Sequence, residues 1–163
     1  MRSWSGCRNF RKEAGPAMRH NLRHLRVFLS VVETGSVTRA ASACHVSQPA
    51  VTQAIAKLER ISGLPLFTRT QRGLFVNDVG HLLARRIRRS LDFLDPALSE
   101  IAARLVTTAT AAQLEALIAV HELENYTLAA SRLGIAQPTV HRAVGQLEKE
   151  AGRPLFERSA HGM

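Results

Sequence analysis

The stretch from Ser47 to Leu58 carries the side chains best suited to recognising another molecule. Placed on a helix, it buries Val51, Ala54, Ile55 and Leu58. It then turns Gln48, Pro49, Thr52, Gln53 and, one turn on, Ala56 and Lys57 outward. A glutamine carboxamide sets a donor beside an acceptor and matches the N6/N7 edge of adenine, so Gln48 and Gln53 have the chemistry of base readers. Thr52 and the ring of Pro49 can touch a thymine methyl, and Ser47 sits at the same helix end as a candidate N-cap. An isolated polar stripe is ordinarily a solvated helix face. The reading therefore depends on the surrounding elements.

Other cationic and polar groups fall where they would hold a phosphate backbone. Thr38 and Arg39 open a short preceding helix, whose N-terminal N–H groups add donors. Arg69 and Arg72 flank a hairpin and would reach the backbone or the adjacent minor groove, unless they merely solubilise the surface. Arg85, Arg86, Arg88 and Arg89 crowd a later helix, as a DNA-facing patch or a solvated flank.

Catalysis has no comparable support. The seven histidines are scattered, no H-E-x-x-H occurs, and His20 and His24 lack a third ligand, so no metal is expected. Cys7 and Cys44 lie far apart, and Cys44 reads as a core residue rather than a reactive thiol. There is no glycine-rich phosphate loop, nucleophile elbow or paired carboxylate, so no enzyme and no cofactor are expected.

The elements that must position these groups occur twice. Shifted by 89 residues, Leu25–Leu74 lies over Leu114–Met163 without a gap, and about 19 of the 50 aligned positions are identical. Gln48-Pro49-x-Val51 returns as Gln137-Pro138-x-Val140, and Gly63-x-Pro65-Leu66-Phe67-x-Arg69 as Gly152-x-Pro154-Leu155-Phe156-x-Arg158. Each unit opens with an amphipathic helix, Leu25, Phe28, Leu29 and Val32 lining its face in the first copy. Gly35 stops that helix, and Ser36 caps a second one from Val37 to about Cys44. The third helix runs from Ser47 to about Ser62, with Pro49 in its first turn and Gly63 at its end. Strands over Leu64–Thr70 and Leu74–Asn77 complete three helices and a wing.

The predicted fold class is mainly α, two tandem winged helix-turn-helix domains joined by a long linker helix. The divisions are a disordered tail over 1–17, a first domain over 18–77, a linker helix over 78–106 and a second, shorter domain over 107–163. Leu83, Ile87, Leu91, Leu94, Leu98, Ile101 and Leu105 recur in steps of four and three along the linker. Such a seam pairs two copies as a coiled coil or packs an amphipathic helix on its own domain. Pro96 should kink that helix or end its first half, and Val106–Ala112 reads as a hinge or new N-cap.

Charge separates the two units. The whole chain carries a formal +9, an excess that favours an anionic partner. Residues 18–106 hold thirteen basic and six acidic groups, whereas 107–163 hold five and six. The first unit therefore has the electrostatics of a DNA binder and the second does not. In the second, Gln137, Pro138, His141, Arg142 and Arg158 stand as weaker candidates. Aromatic residues at 5% argue against an aromatic-rich β-sandwich, and the cysteine usage and lack of a long apolar run point to a soluble cytoplasmic protein without a membrane partner.

The combined string G-S-V-T-R-A-A at 35–41, V-S-Q-P-A-V-T-x-x-I-x-x-L-E at 46–59 and G-L-P-L-F-x-R at 63–69 resembles the DNA-binding domain of the LysR-type transcriptional regulators. The resemblance covers Leu22 to about Leu105 and again Ala112 to Met163. It implies a transcription regulator that binds double-stranded DNA at an interrupted palindrome. It further implies a homodimer formed through Ile87, Leu91, Leu94, Leu98 and Ile101 of the linker helix. The family often has Arg where Gln53 stands, and it continues into an effector-binding domain, where this chain instead carries a second reader and ends at Met163. On that reading the chain is a truncated or partial regulator, with Met18 near the usual start. The alternative is an interaction module that heterodimerises with full-length regulators.

Overall fold

A computed structural model describes residues 22–70 and 73–157, so the expected tail over 1–17, together with Arg72 and Arg158, lies outside the described residues. The order is α1 (Leu22–Thr34), α2 (Val37–Ala43), α3 (Gln48–Ser62), β1 (Phe67–Thr70), β2 (Gly73–Val76) and α4 (Asp78–Ile101). It continues with α5 (Leu105–Thr108), α6 (Ala111–Leu123), α7 (Tyr126–Leu133) and α8 (Gln137–Ala151). The fold is mainly α, with winged helix-turn-helix units.

Local chemistry sets the helix ends. Ser36 Oγ accepts from Arg39 N–H and Ser47 Oγ from Ala50 N–H, each supplying an acceptor to a helix start that has none of its own. Gly63 closes α3 at φ 68°, a left-handed turn that costs glycine little. Thr110 and Gln113 bond reciprocally at the start of α6 as a capping box.

The wing is shorter than the sequence pattern predicts. Pro65 has no N–H to give a ladder, and Leu66 N–H donates to Glu59 Oε1 at 2.8 Å, so Leu64–Leu66 is a connector tied to α3. The second unit repeats the tie, Leu155 N–H donating to Glu148 Oε1 at 2.9 Å. β1 and β2 pair antiparallel from Phe67 opposite Val76 to Thr70 opposite Gly73, and Asn77 follows β2 as the N-cap of α4, its side chain accepting from Gly80 N–H. A Cβ on Gly80 would lie 2.2 Å from the Leu66 carbonyl oxygen, so only glycine lets the first turn of α4 approach the wing.

The first core gathers Phe28, Val31, Val51, Ile55, Leu58 and Leu66, with Phe28 edge-on to Phe67 at 5.6 Å between ring centroids. Val27 and Val31 are buried against the helix-turn-helix, whereas Leu25 and Val32, expected inside, are only partly so. Cys44 is half-buried and packs against this core.

The linker seam packs within the chain. Ile87 and Leu91 belong to the first core, and Leu98 joins Leu105, Ala109 and Leu147 in a cluster shared with the second unit. Leu94 packs against both, and Ile101 against the latter. The residues expected to face a second copy are thus the ones that seal two intrachain cores, which is the amphipathic-helix reading of the same spacing. Ion pairs Arg26–Asp95 and Glu33–Arg88 fix α4 antiparallel to α1, and the Arg26 pair is bidentate at 2.8 and 2.6 Å. Pro96 does not end the helix, which runs on to Ile101. Packing of Leu94 and Leu98 and the Asp95 ion pair hold the chain helical across the lost N–H, overriding a propensity cost of about 3 kcal/mol.

Candidate nucleic-acid interface

α2 and α3 form the helix-turn-helix, and its open face carries the predicted readers. Gln48, Pro49, Thr52 and Gln53 are all exposed on the first two turns of α3, while Val51, Ala54, Ile55 and Leu58 anchor its opposite side. Thr52 Oγ1 donates to the Gln48 carbonyl at 3.2 Å, which turns its methyl group outward from that bond. Ser47 is committed to its cap, so it shapes the helix end. Thr38 and Arg39 are exposed at the start of α2, and the Arg39 guanidinium also donates to the Thr34 carbonyl at the end of α1. Arg69 is exposed on β1, opposite Leu74.

Beside the readers, α1 and α3 enclose an open groove of about 710 Å³ that includes Arg23, His24, Gln53, Lys57 and Arg60. Three permanent cations around one concave surface make it electropositive alongside α3, the kind of surface that attracts an anionic backbone. Burial lowers the pKa of His24 below its usual value, and the neighbouring Lys57 and Arg23 lower it further. Of this set only Gln53 and Lys57 are among the sequence-predicted residues. Arg60 was within reach of a helical count, since it lies three residues beyond Lys57. Arg23 and His24 come from α1 and join only through tertiary packing.

The second unit presents the matching face with altered groups. Gln137, Pro138, His141 and Arg142 are exposed along the first turns of α8. The ring of His141 stacks on Tyr126, the first residue of α7, with centroids 3.7 Å apart and planes 15° apart. In place of His24 and Lys57 stand Gln113 and Gln146, which bond each other at 3.0 Å. At these positions the second unit thus carries bonded neutral amides in place of an imidazole and an ammonium. No helix among the described residues is long and apolar enough to cross a membrane, and no cluster of metal-ligating residues occurs among them.

Comparison with known proteins agrees with this anatomy. The family described as bacterial regulatory helix-turn-helix protein, lysR family, matches residues 22–81 and 111–163, one match per unit. The regulator GalR of Pseudomonas putida is 34% identical over 146 residues, covering 88% of this chain and 37% of that protein. AbaB of Streptomyces antibioticus is 48% identical over 82 residues, 50% of this chain and 26% of that protein. The chain therefore spans well under half the length of these relatives. Among solved structures, the BenM DNA-binding domain in complex with catB site 1 DNA is 33% identical with a TM-score of 0.47, covering 50% of this chain and 90% of that one. With the family's module matched over both halves, the chain belongs to the LysR family of bacterial helix-turn-helix regulatory proteins.

Proposed function

We propose that the chain is a sequence-specific reader of double-stranded DNA that serves transcriptional control, with the first unit as its main reader. The observation that carries this reading is the pairing of exposed Gln48, Pro49, Thr52 and Gln53 with a groove holding Arg23, Lys57 and Arg60 on the same side of α3. The first set discriminates base edges and the second neutralises phosphates, the two contributions that specific binding requires. Arg39 and Arg69 extend the phosphate contacts to either side, and Arg72, which lies between the two strands in sequence, is a further candidate.

The partner copy, on this reading, is a second identical chain docked on α4, giving a homodimer on an interrupted palindrome. Because Ile87, Leu91 and Leu98 are used within the chain, the pairing surface is the outward stripe Val79, Leu82 and Phe93. Phe93 is 74% exposed, the largest exposure among the described large apolar residues, and the stripe repeats at helical spacing.

The test is a binding selection from a random duplex library, at two salt concentrations, with the parent chain and Gln48→Ala. The expected result is one enriched motif for the parent and loss of discrimination by about 1–3 kcal/mol at one base pair for the variant. Identical motifs from both proteins would refute the groove assignment.

A further inference from the structure

The overall charge of the second unit conceals a polarised surface. Of its acids, Glu148 is held by the Leu155 N–H, Glu150 by Arg104 and Glu122 by Arg132. Arg142 and Lys149 instead lie seven residues apart on α8, on the same side of the helix, and Arg153 follows just past its end; all three are exposed. The reading end of α8 thus keeps the exposed Arg142, with two more cations toward the helix's far end, although its unit as a whole is slightly acidic.

That end also differs chemically from its counterpart. Under the 89-residue repeat, Thr52 and Gln53 of α3 become His141 and Arg142 of α8, and Val37 becomes Tyr126. A guanidinium fork matches the O6/N7 edge of guanine, whereas a carboxamide matches adenine. The Tyr126 stack holds the His141 imidazole in one orientation beside Arg142, so its ring nitrogens meet a neighbouring base edge with little rotamer entropy left to lose.

The neutral Gln113–Gln146 pair does not prevent this unit from reading. Leu98, Leu105 and Ala109 pack with Leu147, so the second unit is fastened to the helix that seals the first. Once the first unit is bound, a reader attached this way meets the same duplex without a second bimolecular encounter, so a weak contact adds to the affinity of the first.

We propose that α8 is a second base reader with a specificity different from that of α3, Arg142 selecting a guanine where Gln53 selects an adenine. One chain then reads two unlike half-sites on one duplex. This rests on α3 being a base reader, and the experiment separates the two claims. A random duplex library is selected with the full parent chain and with His141→Thr/Arg142→Gln, which installs the side chains of the first unit at two exposed positions. The expected parent motif contains an adenine-dependent and a guanine-dependent half-site. In the variant, the guanine preference at the second half-site falls by about 5- to 140-fold and an adenine preference replaces it. An unchanged motif in the variant overturns the inference. A parent motif with the first half-site alone also overturns it and leaves the first unit's role standing, whereas no enrichment by the parent overturns both.

Discussion

Removing the groove's charges should change how binding responds to salt without changing which sequence is preferred. Arg23, Lys57 and Arg60 line one slot of about 710 Å³ beside α3, and none of them lies on the first turns where the base readers stand. Each neutralised phosphate contributes about 0.9 to the slope of log affinity against log salt, so losing three contacts flattens that slope by about 2.7. Over a fourfold rise in salt, from about 50 to 200 mM, the parent should therefore lose about 40-fold more affinity than Arg23→Ala/Lys57→Ala/Arg60→Ala. The assay is fluorescence anisotropy with a labelled duplex carrying the selected motif, titrated at several salt concentrations. A duplex with one base pair changed runs in parallel. The ratio of the two affinities should stay constant, because phosphate contacts carry no sequence information. A slope that stays within about 0.5 of the parent's, with the variant folded, would show that the groove holds no phosphate.

Three further outcomes follow from the same geometry. His24 has a folded pKa below its unfolded value, so the unfolded chain binds protons more readily and stability falls as pH drops below about 6.5. A phosphate in the groove reverses the preference and draws a proton onto His24, so DNA affinity should rise as pH falls through that range and His24→Gln should abolish the rise. Leu98→Ala, at 3% exposure in the cluster shared by α4 and α8, should cost about 2–5 kcal/mol in denaturant melts. Its loss of hydrogen-exchange protection should concentrate in α6–α8, and equal loss in α1–α3 would contradict separate cores. Phe93→Asp should shift sedimentation from dimer to monomer while leaving the melt of each unit in place; an unchanged dimer would remove α4's outer stripe from the interface.

Much of this anatomy was legible because it rests on local chemistry. Ser36 and Ser47 precede helices as caps, and Gly35 and Gly63 end them with left-handed turns, each a consequence of backbone groups that neighbouring residues must satisfy. The exposed set on α3 followed from the period of Val51, Ile55 and Leu58 alone. What escaped sequence reading depends on contacts between elements. Leu64–Leu66 has strand-like residues, but a carboxylate from α3 takes the Leu66 N–H. The groove needs α1 beside α3, and the Tyr126–His141 stack needs α7 beside α8. Net charge also cannot show which acids are tied to a backbone N–H or an arginine, as Glu148, Glu150 and Glu122 are.

The seam of α4 shows why spacing cannot name a partner. Steps of three and four state that one side of a helix is apolar, and a second copy or the same chain can cover it equally well. Here the duplication decides. Leu25, Phe28, Leu58 and Leu66 of the first unit pack with Ala84, Ile87 and Leu91. Their repeat counterparts Leu114, Leu117, Leu147 and Leu155 pack with Leu98, Ile101 and Leu105. A single stripe thus closes the same face of both modules, and Leu94 touches both clusters. That double use explains why the apolar pattern continues past Pro96, where one module alone would need no further seal. It also ties the order of the second unit to a helix whose first half is buried by the reader. DNA that stabilises the first unit should therefore favour the arrangement in which α8 is presented as well.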